Sequence, residues 1–309
     1  MEEVDLNRLS VREQLRGLVR LTRWKEYVPF VIPLTLAGAL LATSTRGLTL
    51  DWRLIAVTLA NIFVVAYAFM INDIEDAPDD ARDPDRGARN PIATGEIGLR
   101  FGYNATRVVA AVTLMLYAFG GLWAFAIGVG TLLLSHLYSW RPVRLKAWPV
   151  TDIVSHSLML SGLLLLAGYF IYDSAPGIVW LVAASVTLVS VYGQLYNQLR
   201  DFETDKAAGL KNSAIILGQE NTRRMMYLAV ALAAGFMIAA IIQGAFPLWL
   251  GAVFLIAIPI SRLYRPQTDM RGTLAVDASG LVQIQVLIAF NLTIAIWLGQ
   301  AVLMQFPLI

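Results

Sequence analysis

Apolar residues gather in nine long runs along the chain, at Val28–Thr43, Leu54–Ile71, Tyr103–Gly120, Leu122–Tyr138, Ile153–Tyr172, Ile178–Leu199, Met225–Ile242, Pro247–Ile260 and Leu281–Leu308. A spanning helix needs about 20 largely apolar residues, so the pattern predicts an all-α, polytopic membrane protein with about nine transmembrane helices in a bundle. The first and eighth runs are short, and Pro29, Pro33 and Pro259 are expected to kink their segments or mark their ends. The connection at Gly120-Gly121 is tight enough to make the third and fourth helices antiparallel neighbours. Residues 1–26 differ: Leu6, Leu9, Leu15, Leu18 and Leu21 recur at helical spacing between charges. That pattern suits an amphipathic helix on a membrane surface or an ordinary solvated helix, and does not suit a signal peptide.

Charge then orients the bundle. With the N-terminus inside, 22 of the 24 Lys and Arg residues fall on the inner side. Only Arg46 and Arg53 fall outside. The positive-inside rule therefore predicts a cytosolic N-terminus and an outer C-terminus. Composition agrees: 57% of residues are hydrophobic and 15% charged, with a mean hydropathy of +0.62, against about 25% charged in soluble domains. Cysteine is absent and His136 and His156 are the two histidines, which argues against thiolate chemistry and a multi-histidine metal site. A single integral-membrane domain over 1–309 is expected, with 1–26 as its cytosolic amphipathic segment. Small residues in the seventh run (Ala229, Ala231, Ala233, Ala234, Gly235) permit close helix packing within or between chains, so oligomeric state stays open.

Two acidic stretches carry the candidate chemistry. The second helix runs into Asn72-Asp73-Ile74-Glu75-Asp76-Ala77-Pro78-Asp79-Asp80, and the sixth into Asn197-Gln198-Leu199-Arg200-Asp201-Phe202-Glu203-Thr204-Asp205. Both read Asn-x-x-x-Asp-x-x-x-Asp, 125 residues apart, and each precedes a basic-Asn pair, Arg89-Asn90 or Lys211-Asn212. Positions i, i+4 and i+8 drift only about 80° around a helix, so Asn72, Asp76 and Asp80 share one face, as do Asn197, Asp201 and Asp205. Amide and carboxylate oxygens in such clusters suit hard cations such as Mg²⁺, which fills its shell with water and substrate phosphate. Two facing clusters can clamp a diphosphate while nearby Arg and Lys neutralise the leaving group. The alternative, two solvated helix ends, explains neither the matched spacing nor the matched positions.

The pair of motifs resembles the UbiA superfamily of intramembrane prenyltransferases, over essentially the whole chain. That family carries Asn-x-x-x-Asp-x-x-x-Asp after its second helix and Tyr-x-x-x-Lys-Asp-x-x-x-Asp after its sixth, which appears here as Tyr196-x-x-x-Arg200-Asp201-x-x-x-Asp205. Tyr138-Ser139 followed by Pro142-Val143-Arg144-Leu145-Lys146, and Arg89-Asn90-Pro91-Ile92-Ala93-Thr94-Gly95, match two further family segments. The resemblance implies Mg²⁺ held by Asn72, Asp76, Asp80, Asn197, Asp201 and Asp205, with Arg23, Arg89, Lys146 and Arg200 on the diphosphate and Tyr138 near the reacting carbon. Asp76, Asp201 and Tyr138 would be the catalytic residues. The chain departs from the family at Pro78, which can end the helix early and let Asp79 substitute for Asp80. It departs again at Arg200, which replaces Lys, and at Trp24, which follows Arg23 where the family often has Pro.

The implied reaction is transfer of a prenyl group from an allylic prenyl diphosphate to a lipophilic acceptor, aromatic or isoprenoid/carotenoid. Tyr67, Tyr138, Tyr192 and Tyr196 are candidates to shield a carbocation through cation–π contact, with plain packing the commoner role for any one of them. Asp152, Ser155 and His156 are candidates to touch the acceptor, His156 being otherwise a helix-end histidine bonded to a neighbour. The Tyr-Ser segment leans toward apolar isoprenoid acceptors. The expected partners are the donor, the acceptor and the bilayer, with no nucleic acid. A secondary transporter is the rival class, but its site belongs near mid-membrane, whereas these acids sit at one face. A related cyclase or lyase without an acceptor fits the same motifs.

Overall fold

The computed structural model describes residues 10–46, 50–175, 177–207 and 209–305. Leu6, Arg8 and Leu9 of the expected amphipathic segment, and the last residues of the ninth run, lie outside the described residues. Helix α1 (Val11–Leu21) starts at Ser10, whose hydroxyl accepts from the Glu13 N–H while Glu13 bonds back to the Ser10 N–H, a reciprocal capping box. Leu18 and Leu21 pack against Met70, Ile74, Ile92 and Ile97, while Leu15 and Val19 stay exposed. The helix is amphipathic, with one apolar edge docked on the protein.

The remaining helices follow in order: α2 (Trp24–Arg46), α3 (Trp52–Asp80), α4 (Pro84–Gly87), α5 (Leu99–Ala118), α6 (Leu122–Ser139), α7 (Thr151–Ser157), α8 (Leu163–Tyr169), α9 (Val179–Arg200), α10 (Phe202–Ala207), α11 (Ser213–Leu217), α12 (Gln219–Ile242), α13 (Trp249–Ser261) and α14 (Ala278–Gln305). A π-helical stretch, Leu158–Gly162, joins α7 and α8 into one span. All nine apolar runs coincide with helices, but seven spans among the described residues are long and apolar enough to cross a membrane. Helix α5 is long enough, with 20 residues, yet Arg100, Asn104 and Arg107 dilute its first half. Helix α13 has 13 residues, about 20 Å of rise.

Pro29 and Pro33 lie inside α2, and Pro259 inside α13. None ends its helix. Pro33 has no N–H for the Pro29 carbonyl one turn earlier, and the Asn291 amide of α14 donates to that carbonyl at 3.0 Å. A neighbouring helix thus satisfies the backbone group that proline frees. The same contact brings the last helix onto the first span, and α2 packs on α3, α8 and α14. Helix α3 packs on α5 and α6, and α9 on α12.

Asn61, fully buried in α3, donates to Thr35 Oγ1 (2.7 Å) and the Leu164 carbonyl (3.0 Å) and accepts from the Tyr117 hydroxyl (2.5 Å). One side chain therefore ties α2, α3, α5 and α8. Hydropathy alone describes the span centres as apolar; this centre is polar, uncharged and fully hydrogen-bonded. Helices α2 and α8 approach closely beside it because a Cβ on Gly38 would lie 2.0 Å from the Leu165 carbonyl oxygen, and one on Gly168 2.2 Å from that of Thr35. Replacing either glycine by valine forces the helices apart. Such overpacking costs about 1–3 kcal/mol, so Gly38→Val and Gly168→Val should lower the melting temperature of the detergent-solubilised protein by several degrees, whereas Gly130→Val, with open space around it, should not.

Candidate active site

Helix α3 has 29 residues, about 43 Å of rise against roughly 30 Å of hydrocarbon. Its last turns therefore project beyond the apolar slab, and they carry the first acidic motif. Pro78 sits inside the final turn without stopping it, and the Ala81 N–H still bonds the Ala77 carbonyl. Each acid there has its own partner. Arg23, left-handed at φ 49° between α1 and α2, pairs with buried Asp73 at 2.8 Å. Glu75 accepts from the Tyr103 hydroxyl (2.9 Å) and the Arg141 N–H (3.2 Å). Asp76 receives Lys146 at 2.5 Å and Arg144 at 3.0 Å. Asp79 turns outward to Arg141 (3.2 Å) and Arg144 (3.1 Å). Asp80 stays on the inner face and accepts from the Asn90 amide at 2.9 Å.

The second motif bends. Helix α9 ends at Arg200, Asp201 leaves helical geometry, and α10 resumes with Asp205, whose N–H bonds the Asp201 carbonyl. Arg200 donates twice to Asp201 (3.0 and 3.1 Å) and once to Asp269 (3.2 Å). Asp205 accepts from Arg86 of α4 at 3.1 Å and from Asn212 at 2.9 Å. The halves match at the hydrogen-bond level. In each, the asparagine of the following basic-Asn pair grips the third acid of the motif. Its other side-chain atom organises the next segment: Asn90 Oδ1 accepts from the Ile92 and Ala93 N–H groups, and Asn212 Oδ1 from Ile215.

Between the motifs lies the loop from α6 to α7, strained at Arg144 (φ 46°) and Val150 (φ 69°). Left-handed backbone at a non-glycine, and above all at a β-branched residue, costs energy and persists where surroundings hold it. Here the Val150 N–H bonds Ser213 Oγ at 2.8 Å. The loop aims Lys146 into the cradle of Asn72 Oδ1 (2.8 Å) and Asp76 Oδ2 (2.5 Å). Burial pushes the Lys146 pKa below its ordinary value, against the attraction of Asp76. Burial likewise raises Asp205 above the usual carboxylate range, against the pull of Arg86. Among the described residues, no three histidine, cysteine or carboxylate side chains converge to hold a metal by themselves. The first donor set is instead the Asn72 amide oxygen with the Asp76 carboxylate, which suits Mg²⁺ completing its shell from water and phosphate. The Lys146 ammonium seated between Asn72 and Asp76 shows that this cradle accepts a cation.

Asn72, Asp76, Asp80 and Lys146 thus meet, and Asp201, Asp205 and Arg200 form the second group. Asn197 is half-buried, and no hydrogen bond of its side chain is seen among the described residues. Arg89 is exposed and not brought to the acids; Arg86, three residues earlier, links the first loop to Asp205 instead. Tyr138 lies beneath the cluster, with its hydroxyl 3.4 Å from Gln194 and its ring 6.0 Å from that of His156. Tyr67 bonds His136 at 2.9 Å, and Tyr192 and Tyr196 are committed to Ser279 and the Val276 N–H. Ser155 is bonded to the Thr151 carbonyl within its own helix.

Asp152, expected at the acceptor, has another job. Fully buried, it accepts from Ser213 N–H (2.7 Å), Ser213 Oγ (2.6 Å), Gln198 (2.8 Å) and the Ile153 N–H (2.8 Å). It latches α7 to α9 and α11, holding the second motif in place. No spacing in the sequence signals this latch, nor the roles of Arg86, Arg141, Arg144 and Asp269, because each pairs with a residue distant along the chain.

The profile of the UbiA prenyltransferase family matches residues 31–302. A 4-hydroxybenzoate octaprenyltransferase of Acidovorax ebreus is 26% identical over 249 residues, covering 80% of this chain and 83% of that protein. A lycopene elongase/hydratase of Haloarcula japonica is 28% identical over 165 residues, covering 50% of this chain and 51% of that protein. A further relative is matched over 43% of its own length. The solved structure of a UbiA homologue from Archaeoglobus fulgidus bound to DMAPP and Mg²⁺ superposes with a TM-score of 0.71 at 21% identity, over 94% of this chain and 100% of that one, a likeness of fold.

Removing a buried acceptor strands its donors at about 1–3 kcal/mol each. Asp152→Ala should therefore destabilise the protein by about 3 kcal/mol in thermal unfolding, and Asp152→Asn, which keeps one acceptor oxygen, by less. Unchanged unfolding in Asp152→Ala would contradict the latch.

Proposed function

The chain belongs to the UbiA prenyltransferase family, and on that premise we propose that it transfers the prenyl group of an allylic prenyl diphosphate to a lipophilic acceptor within the membrane, with Mg²⁺ as its metal. The carrying observation is the paired motif at one end of the bundle: an amide-carboxylate cradle at Asn72 and Asp76, filled by the Lys146 ammonium, and a second pair of carboxylates, Asp201 and Asp205, each held by an arginine. The protein is a single integral-membrane domain in this reading. Its spans are the seven long apolar helices together with α5 and the short α13. The basic residues set the acidic end toward the cytosol and the C-terminus outside.

Mg²⁺, when bound, supplies the positive charge that holds the diphosphate and stabilises it as a leaving group. The chain's own groups do the rest. Asn72, Asp76 and Asp80 form one oxygen set, and Asn197, Asp201 and Asp205 the other. Lys146 and Arg144 neutralise Asp76, and with Asp76 committed to a metal they would be free to hold the diphosphate oxygens. Arg23 and Arg200 frame the mouth, each already pinned by a carboxylate, while Arg89 is the diphosphate ligand this geometry supports least. Tyr138 lies between the charged cluster and the apolar helices, where its ring faces the reacting carbon and shields the allylic cation from water.

The acceptor belongs to the apolar or aromatic class, and the relatives' names span both kinds. A mid-membrane transport site finds no support in Asn61, whose polar atoms are all bonded to neighbouring helices. In proteoliposomes with radiolabelled geranylgeranyl diphosphate and a panel of aromatic and isoprenoid acceptors, labelled product should form with Mg²⁺ and not with EDTA. Loss of one transition-state electrostatic group costs roughly 10²–10³ in rate, so Asp76→Asn and Asp201→Asn should each fall by at least about a hundredfold. Diphosphate release without labelled acceptor would identify a cyclase or lyase, and wild-type rates in both variants would refute the reading.

A further inference from the structure

The connection between α13 and α14 forms a third wall of the mouth. Asp269 accepts from the Arg271 N–H (2.8 Å), the Thr273 N–H (3.1 Å) and the Thr273 hydroxyl (2.9 Å), and its own N–H donates to the Thr273 carbonyl (2.9 Å). Gly272 takes the left-handed conformation, φ 76°, that closes so short a turn. Asp269 is almost wholly buried and reaches out of the turn to Arg200 at 3.2 Å. Burial acts to raise its pKa, but the bonds from Thr273, Arg271 and Arg200 prevail and hold it below the usual carboxylate range. The turn is therefore bolted to the second acidic motif by a charge pair.

That attachment fixes where Arg271 stands. Its side chain is exposed and lies within electrostatic reach of Arg200, Asp201, Glu26 and Arg23. Arg23 is answered by Asp73, and Arg200 by Asp201 and Asp269. Arg271 makes no ion pair among the described residues. Three guanidinium groups from three separate parts of the chain thus act on one another near the second motif, and of the three only Arg271 has no carboxylate within ion-pair distance among the described residues. Like charges so placed repel, and a polyanion in the mouth removes that cost.

We propose that Arg271 is a further ligand of the donor's diphosphate, delivered by the Asp269–Thr273 turn that Arg200 pins to the second acidic motif. The inference rests on the prenyltransferase reading and adds a binding residue that neither motif contains. The acceptor is the other molecule in which an anion can arise, as a carboxylate; the company of Arg23, Arg200 and Asp201 places Arg271 on the donor side.

The test is calorimetric binding of geranyl diphosphate, with Mg²⁺, to the full-length reconstituted protein. Arg271→Gln should weaken binding about tenfold, equivalent to 1.4 kcal/mol, and Arg271→Lys should recover part of that loss. Arg262→Gln, exposed and on the same connection, should bind like wild type. All three should melt with wild type, because neither arginine side chain is bonded within the described protein. Equal affinity in Arg271→Gln and wild type would overturn the inference and leave the family reading standing. The inference also falls if Arg271→Gln raises the KM of a carboxylated acceptor and leaves geranyl diphosphate affinity alone. Failure of wild type itself to bind geranyl diphosphate would bring down both.

Discussion

Five carboxylates crowd the last turns of α3, and their mutual repulsion is the constraint around which this end of the molecule is built. In a medium less polarisable than water, each needs a partner of its own. Asp73 takes Arg23 from the junction of α1 and α2, Glu75 takes Tyr103 from α5, Asp76 and Asp79 share Lys146, Arg144 and Arg141 from the loop after α6, and Asp80 takes Asn90 from the loop after α4. Four separate parts of the chain are thereby fixed by one helix end. The strained backbone at Arg23 and Arg144 belongs to this arrangement, since both residues hold an unfavourable conformation to present a cation to an acid.

The second motif uses the same logic with fewer acids. Arg86 crosses from the first half to Asp205, so the two clusters are joined by a side chain as well as by the bundle. Asn90 and Asn212 repeat one another, each gripping a third carboxylate and ordering the segment that follows. The pseudo-repeat visible as a motif spacing is thus a repeat of hydrogen bonds. Its asymmetry matters too: the first motif lies on an unbroken helix, whereas the second bends at Asp201, which caps α9, with Asp205 on the short α10, and Asp152 ties α9 to α11 beyond it through Gln198 and Ser213.

Much of this is legible along the chain because its determinants are local. Apolar runs locate the helices, and i, i+4, i+8 spacing puts Asn72, Asp76 and Asp80 on one face. What escapes is non-local. The sequence singles out Arg89, as the first member of a basic-Asn pair, yet Arg86 on α4 is the arginine that reaches Asp205. Asp152 reads like a residue at a substrate-facing helix start, and only the approach of Ser213, 61 positions away, makes it a latch. Pro78 reads as a helix stop, yet packing and the partners of Asp79 and Asp80 carry the helix past it. Helix α5 reads as an ordinary span, although its polar half partners Glu75.

The protein's own cations would act as placeholders: Lys146 and its neighbours balance the acids and would be free for diphosphate oxygens if the acids held metal. Titration of Mg²⁺ into the purified protein, with and without an unreactive thiolo analogue of geranyl diphosphate, addresses this most directly. Mg²⁺ alone should bind weakly, and at least about tenfold more tightly once the analogue is present, with reciprocal tightening of the analogue by Mg²⁺. Mg²⁺ affinity that is the same with and without the analogue, or an analogue that binds equally well in EDTA, would contradict the placeholder role.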